Sequence, residues 1–165
     1  SNFILKKVVI QMPEARTFTI EDADIIFKNF SGEETPFNAS GKRNFCVKLD
    51  PVTAEAMAAE GWNIKLLKAR EENEGDEDQA YIKISVGFKA RPPQITMIGS
   101  ITGNRTMLTE DTVGVLDWAD IVQVDLIARE FSWDVNGNKG ITPYVQTLFV
   151  TILENELDIK YGAQD

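Results

Sequence analysis

Two long runs of strand-forming residues near the carboxyl end constrain the fold of this chain more than any other feature. The runs extend from Ala119 to Val135 and from Ile141 to Leu153, and the segment Asn136-Gly137-Asn138-Lys139-Gly140 separates them. Asn-Gly pairs are favoured in tight hairpin turns because both residues tolerate positive φ angles. The sequence therefore predicts a long β-hairpin in this part of the chain.

Strand patterns also dominate the rest of the chain. Apolar and alternating runs predict strands at residues 24–30, 43–49, 62–70, 81–89 and 94–102. One short helix is expected after Asp50 and Pro51, which suit its N-cap and first turn, and Gly61 would end it. Residues 109–117 predict a second short helix. This pattern favours a mainly β fold, an OB-fold-like closed or partly open antiparallel barrel with extra hairpins.

The length of 165 residues suits one domain, and we expect residues 1–165 to form a single OB-like unit. The acidic segment 71–78 is expected to be a mobile loop within it. No apolar run reaches the roughly 20 residues of a membrane helix, so we expect a soluble protein. The lone Cys46 excludes an internal disulfide and fits a reducing compartment.

The chain contains no histidine, which narrows its chemistry. A His-dependent catalytic triad, a His-ligated zinc site and an HxE-type deaminase site are all excluded. Four acids in the region of the long hairpin could in principle hold two magnesium ions for a nuclease: Asp117, Asp120, Asp125 and Glu130. Their spacing argues against a shared site, and we expect neither catalysis nor a cofactor.

The net charge of −9 would argue against a polyanionic partner, but the charge is unevenly distributed. Six acids lie in segment 71–78 and four more lie between residues 154 and 165. Outside these segments the chain has 16 acids and 16 bases, and bases exceed acids by nine to three between residues 42 and 91 once the acidic loop is set aside. The middle of the chain is therefore the place to expect a basic face.

Cations and aromatic rings occur together at several points along the chain. Phe37 and Phe45 flank Lys42 and Arg43, and alternation in segment 81–89 places Tyr81 on the polar face with two lysines. Single-stranded nucleic acid is bound by this combination, since cations attract phosphates and rings stack on unpaired bases. The predicted contact residues are Phe37, Lys42, Arg43, Lys65, Tyr81, Lys83, Lys89, Arg91, Trp133 and Lys139.

Several of these aromatic residues also have a purely structural interpretation. Trp62 shares a side with Ile64 and is expected in the core. Of Phe45 and Cys46, one should face inward, and if it is Phe45, Phe37 is the only stacking candidate of its motif. Trp133 could stack on a base, or it could form a cross-strand cluster with Phe131 and Tyr144 that merely stabilises the hairpin.

The order and spacing of several motifs resemble bacteriophage and prophage single-stranded DNA-binding proteins. The resemblance runs from about residue 24 to residue 161 and rests on segments 27–32, 37–45, 61–65, 91–93, 116–118 and 124–127. It implies an OB-type barrel in the cytoplasm of the bacterial host that coats single strands during phage replication or recombination. Besides single-stranded DNA, we expect replication or recombination proteins and a second copy of the chain as partners.

The alternative function is a β-rich phage structural or assembly protein that acts through protein contacts.

Many single-strand binders end in a flexible acidic tail with a terminal aromatic residue. This chain instead ends in Lys160-Tyr161-Gly162-Ala163-Gln164-Asp165, which is only weakly acidic.

Overall fold

The computed structural model describes residues 2–5, 8–11, 15–70, 72, 75 and 77–162. Strands make up half of the chain. They are β1 Asn2–Leu5, β2 Val8–Gln11, β3 Thr17–Ile20, β4 Ile25–Asn29, β5 Arg43–Leu49, β6 Ile64–Leu67, β7 Gln79–Val86, β8 Gln94–Gly99, β9 Arg105–Leu108, β10 Ile121–Val135 and β11 Asn138–Ile152. The helices are α1 Pro51–Ala59, α2 Glu156–Gly162 and a 3₁₀ helix at Val113–Asp117. Within the described residues, no helix has the length and apolarity to cross a membrane.

Nine of the strands form one mixed sheet. Its main path runs β3-β10-β11-β7-β5-β4, while β6 pairs with β7, and β8 lies between β11 and β9. Strands β7 and β8 both pair with β11 in parallel. Parallel pairing of β8 with β11 requires a crossover, which residues 100–137 supply. The expected mainly β, OB-like architecture is confirmed, although its sheet is mixed and not wholly antiparallel.

The core is built from the inward faces of the central strands. Along β7, buried residues alternate with partly exposed ones, so that Ile82 and Ile84 point inward. Burial of each such side chain contributes about 1.5–3 kcal/mol. Phe45 is fully buried and stacks on Phe30, with ring centroids 5.1 Å apart. Alternation therefore leaves the other face of β7 free to carry polar residues.

Helix α1 begins and ends where the sequence predicts. The Asp50 side chain accepts a hydrogen bond from the backbone N–H of Thr53 at 2.8 Å, and Pro51 occupies the first turn. Gly61 follows the helix with a φ of +97°, a conformation that glycine adopts without steric cost. The expected core position of Trp62 is confirmed, because its residue surface is only 4% exposed.

The long hairpin is also confirmed, with a shorter turn than the sequence indicated. Asn136 and Gly137 alone form the turn, with φ angles of +53° and +83°, and β11 already begins at Asn138. Residues 138–143 pair with β10 alone among the described strands. We call this end of the hairpin the arm and define it as residues 129–144, which includes the flanking pair Arg129 and Tyr144 that joins it to β3 and β7.

Other elements differ from the sequence-based prediction. Strands β1, β2, β3 and β9 and helix α2 were not predicted, because elements of four to seven residues give little periodic signal. In the region of the second expected helix, the chain forms only the 3₁₀ helix. Residues 71, 73, 74 and 76 of the acidic segment lie outside the described residues. The mobility of that segment and the single-domain organisation remain predictions.

Candidate nucleic-acid interface

A cleft of about 700 Å³ lies between the arm, the beginning of β5 and the end of β7. Its size is within the range of small-ligand sites. Seven cations line it, and Glu110 is the one acid among the described lining residues. The cations are Lys42, Arg43, Lys65, Lys83, Lys89, Arg91 and Arg129. Despite the negative charge of the whole chain, this surface is strongly basic and suits an anionic ligand.

The lysines of the cleft floor come from neighbouring strands. Lys83 lies on the outward face of β7, opposite Cys46 of β5, and Lys65 projects from β6 on the other side. Burial raises the pKa of the Cys46 thiol, while the positive charges of Lys65 and Lys83 oppose this rise. Neither lysine has a salt bridge to another described residue. Both ammonium groups therefore remain able to bind phosphate oxygens.

Arg43 is held in place at the cleft wall. Its guanidinium carbon lies 5.7 Å from the ring centroid of Phe88, within cation–π range. Its Nη1 atom is 3.7 Å from the Glu110 carboxylate, and its Nη2 atom donates to the Glu110 carbonyl oxygen at 3.3 Å. The Nε atom is buried without a hydrogen-bond partner in the described structure. The side chain is thus held in one position, while its Nε–H group has no acceptor among the described residues.

Aromatic rings of the arm form the opposite side of the cleft. Tyr144 meets Phe131 edge to face, with centroids 5.7 Å apart. A Cβ atom added to Gly87 would lie 3.0 Å from Tyr144 Cε1, so the absence of a side chain there lets the ring lie against the end of β7. Phe131 remains 53% exposed. Rings and cations thus line the same cleft, a combination that binds single-stranded nucleic acid.

Six of the ten predicted contact residues line the cleft, namely Lys42, Arg43, Lys65, Lys83, Lys89 and Arg91. The other four predicted residues do not line the cleft, namely Phe37, Tyr81, Trp133 and Lys139. Phe37 is 96% exposed at the turn closed by Thr35 and Asn38. Tyr81 lies on the same face of β7 as Lys83, two residues away. Of the pair Phe45 and Cys46, Phe45 faces the core, and Cys46 is buried on the outward face.

Trp133 and Lys139 occupy opposite faces of the arm. Trp133 packs directly on Gly140, its partner across the hairpin, where no Cβ could fit. Its indole Nε1 donates to the hydroxyl of Thr142 at 3.1 Å. Lys139 lies across the hairpin from Asp134, in the next residue pair towards the turn, so its side chain is on the other face. These contacts favour the hairpin-stabilising interpretation of Trp133.

The sequence analysis did not predict which residues of the arm line the cleft. Arg129, Phe131 and Tyr144 all line it, as do Asn44 and Asn63. Alternation along β10 already put Arg129 and Phe131 on one face, but only the tertiary fold brings that face beside the end of β7. The missing signal was therefore the packing of the arm and not the pattern of its residues.

Three of the four acids considered for magnesium binding make structural contacts, namely Asp117, Asp125 and Glu130. Asp117 accepts hydrogen bonds from the backbone N–H groups of Phe30 and Ser31, at 2.7 and 2.9 Å. Asp125 accepts from the backbone N–H of Asp22 at 2.9 Å. The described part of the chain contains no cluster of three acid or cysteine side chains arranged for a metal ion.

Solved structures and curated proteins were compared with this chain. The single-stranded DNA-binding protein of bacteriophage Enc34 in complex with ssDNA superposes with a TM-score of 0.52 at 8% identity, covering 84% of this chain and 88% of that one. A second structure of the Enc34 protein gives 0.48 at 10% identity, covering 81% and 79% of the two chains. The bacteriophage T7 protein gp2.5 gives 0.40 at 10% identity, covering 92% and 95%. No curated protein matches the chain.

The first of these superpositions supports the OB-like fold. The decisive match is with a sequence family described as "Putative phage ssDNA-binding domain", whose model covers residues 8–164. The match includes the strands and loops that form the cleft. This chain therefore belongs to the phage single-stranded DNA-binding domain family.

Proposed function

We propose that this protein binds single-stranded DNA in the cleft, without strong sequence preference, and coats single strands during phage replication or recombination. The observation that supports it most is the clustering of seven cations and three aromatic rings around one cleft in a chain with net charge −9. Sequence tolerance follows from the chemistry, since every phosphate is an anion and every base has a stackable face.

Phosphates would lie along the strand ends, and bases would point towards the arm. Lys42, Arg43, Lys65, Lys83, Lys89, Arg91 and Arg129 are the proposed phosphate contacts. Phe131 and Tyr144 are the proposed stacking rings, and Phe37 is a contact at the rim. We assign Trp133 and Lys139 to the stability and solvation of the arm instead.

The role we propose requires no catalysis. The protein would act stoichiometrically, by occupying strands that would otherwise pair or be degraded. This activity places it in the cytoplasm of the bacterial host, beside the replication or recombination proteins that expose single strands. Self-association would let adjacent copies cover a longer strand.

Fluorescence anisotropy of a labelled thirty-nucleotide strand, measured over a salt series with magnesium present, tests the function. Full use of the seven cations would give a log–log salt slope of about −5, at roughly −0.7 per phosphate on single strands. The double variant Lys83→Glu/Lys89→Glu should weaken binding by at least tenfold and flatten the slope by about 1.4. Duplex competitor should displace little of the strand.

Lys139→Glu is the matched control, because it reverses a lysine on the far face of the arm and should leave affinity nearly unchanged. The reverse pattern, with only Lys139→Glu impaired, would move the site to the arm's outer face. Absence of binding at low salt would overturn the function and favour a structural or assembly protein. Cleavage of the labelled strand would contradict the non-catalytic role.

A further inference from the structure

Phe27 in β4 combines three unusual properties. Its φ is +52°, a left-handed conformation that bulky residues rarely adopt. Its surface is 57% exposed, although it lies within a strand of the main sheet. Its ring contacts that of Tyr81 edge to face, with centroids 5.9 Å apart. The exposed ring is thus held in a defined position.

A β-bulge explains how Phe27 reaches this position. Ile26 pairs with Cys46 and Asn29 pairs with Asn44, so two residues of β4 oppose the single residue Phe45 of β5. Regular alternation would send Phe27 towards the core behind Phe45. The bulge turns it outward instead, so that its ring crosses β5 and meets Tyr81 on β7. Bulges that redirect a side chain are common beside functional sites.

The ring pair continues the surface of the cleft. Tyr81 lies opposite Lys65 in the pairing of β6 with β7, and two positions along β7 from Lys83. Two strand residues span about 7 Å. Lys65 and Lys83 both line the cleft, and neither has a salt bridge to another described residue. A strand leaving the cleft along these lysines would meet the exposed ring of Phe27.

We propose that Phe27, supported by Tyr81, stacks on a base of the single strand just beyond the cleft and lengthens the binding site at the β4 side of the sheet. The inference rests on the proposed function. It adds a ring from the bulged edge strand to a site otherwise formed by β5, β6, β7 and the arm. Phe27 is then a binding residue whose exposed ring becomes covered when DNA is bound.

Anisotropy with oligothymidylates of increasing length, from four to sixteen nucleotides, tests the inference. Phe27→Leu keeps apolar bulk but removes the aromatic face, whereas Phe27→Tyr keeps the face. Loss of one stacked base corresponds to roughly a 5- to 150-fold loss of affinity. Phe27→Leu should show that loss only for strands long enough to pass the cleft, and Phe27→Tyr should bind like the wild type.

Photocrosslinking provides a readout independent of affinity. A strand carrying 5-iododeoxyuridine at successive positions should crosslink to Phe27 at one position, identified by mass spectrometry. Crosslinks that avoid Phe27 at every position would overturn the inference, as would wild-type affinity of Phe27→Leu at every length.

An equal loss at all lengths would also overturn the inference, since it would indicate damage to the cleft. Thermal unfolding of each variant shows whether the fold is intact. Wild-type protein that fails to bind any strand would instead refute the proposed function.

Discussion

The contacts of Glu110 affect both the positive charge of the cleft and the position of Arg43. Glu110 is the one acid among the described lining residues, and it holds Arg43 through both its side chain and its carbonyl oxygen. The carboxylate therefore neutralises part of the positive charge that a phosphate would meet. It also orients the arginine against Phe88. Glu110 therefore weakens the attraction of the cleft for DNA, and it fixes the position of Arg43.

Glu110→Gln should raise the affinity for single-stranded DNA by about two- to tenfold, because it removes the repulsion between the carboxylate and a bound phosphate. Two like charges about 4 Å apart in water repel each other by on the order of 1 kcal/mol. The carbonyl contact to Arg43 would remain. Anisotropy at two salt concentrations measures the effect, which should shrink as salt screens it. Glu55→Gln on α1 is the control for the change in net charge. An affinity that falls would show that Glu110 serves mainly to position Arg43.

At the scale of elements, the arm depends mainly on the pairing between its own two strands. Its residues 138–143 pair with β10 alone, yet it contributes Phe131 and Tyr144 to the cleft. Trp133 stabilises it by packing on Gly140 and by its hydrogen bond to Thr142. An aromatic ring over a cross-strand glycine replaces the side-chain contact that glycine cannot make.

Gly140→Ala should displace the Trp133 ring, since the added Cβ would occupy the same space. Overpacking of this kind costs roughly 1–3 kcal/mol. We expect the cost to appear as faster hydrogen exchange of the arm amides, with the midpoint of global unfolding nearly unchanged. Lys139→Ala on the opposite face of the arm should leave exchange as in the wild type. A large fall in global stability would show that the arm unfolds together with the sheet.

At the scale of the whole molecule, Arg16 and Glu130 join three separate elements. Arg16 Nε donates to Glu130 on β10 at 2.9 Å, and its Nη1 donates to the carbonyl of Glu60 at the end of α1. The guanidinium also lies over Trp62, 5.0 Å from the ring centroid. The segment before β3, the end of α1 and the start of the arm are thereby connected behind the cleft.

These contacts predict a pH dependence of stability. Hydrogen bonding to the Arg16 backbone N–H, and then to its side chain, holds the pKa of Glu130 below its usual value. A carboxyl with a lowered folded pKa contributes stability that is complete above its unfolded pKa of about 4.3 and is lost as the pH falls through the folded value. Thermal unfolding of wild type and Glu130→Gln between pH 3 and pH 7 measures this.

We expect the wild type to be the more stable of the two near pH 7 and the difference to shrink below about pH 4.3. Asp134→Asn, farther along β10 in the arm, is the matched control and should show a smaller pH-dependent difference. A constant difference from pH 3 to pH 7 would contradict a role for the Glu130 charge.

The sequence by itself determined most of the elements and the chemical character of the surface. Alternation in β7 fixed its two faces, Asn136-Gly137 fixed the hairpin, and Asp50 with Pro51 fixed the start of α1. These features are local, because a period of two residues, a turn with positive φ and a cap each depend on a few neighbouring residues. Six of the seven cations of the cleft were predicted from local patterns too, whereas Arg129 was not.

Only the tertiary structure decided which of those residues meet. The pairing of β8 with β11 and the position of the arm beside β7 join segments far apart in the chain, and no local pattern specifies them. The same holds for Phe27, which regular alternation would bury and which a bulge opposite Phe45 turns outward. A single extra residue in one strand reverses the face of a side chain, and register is set by packing across the sheet.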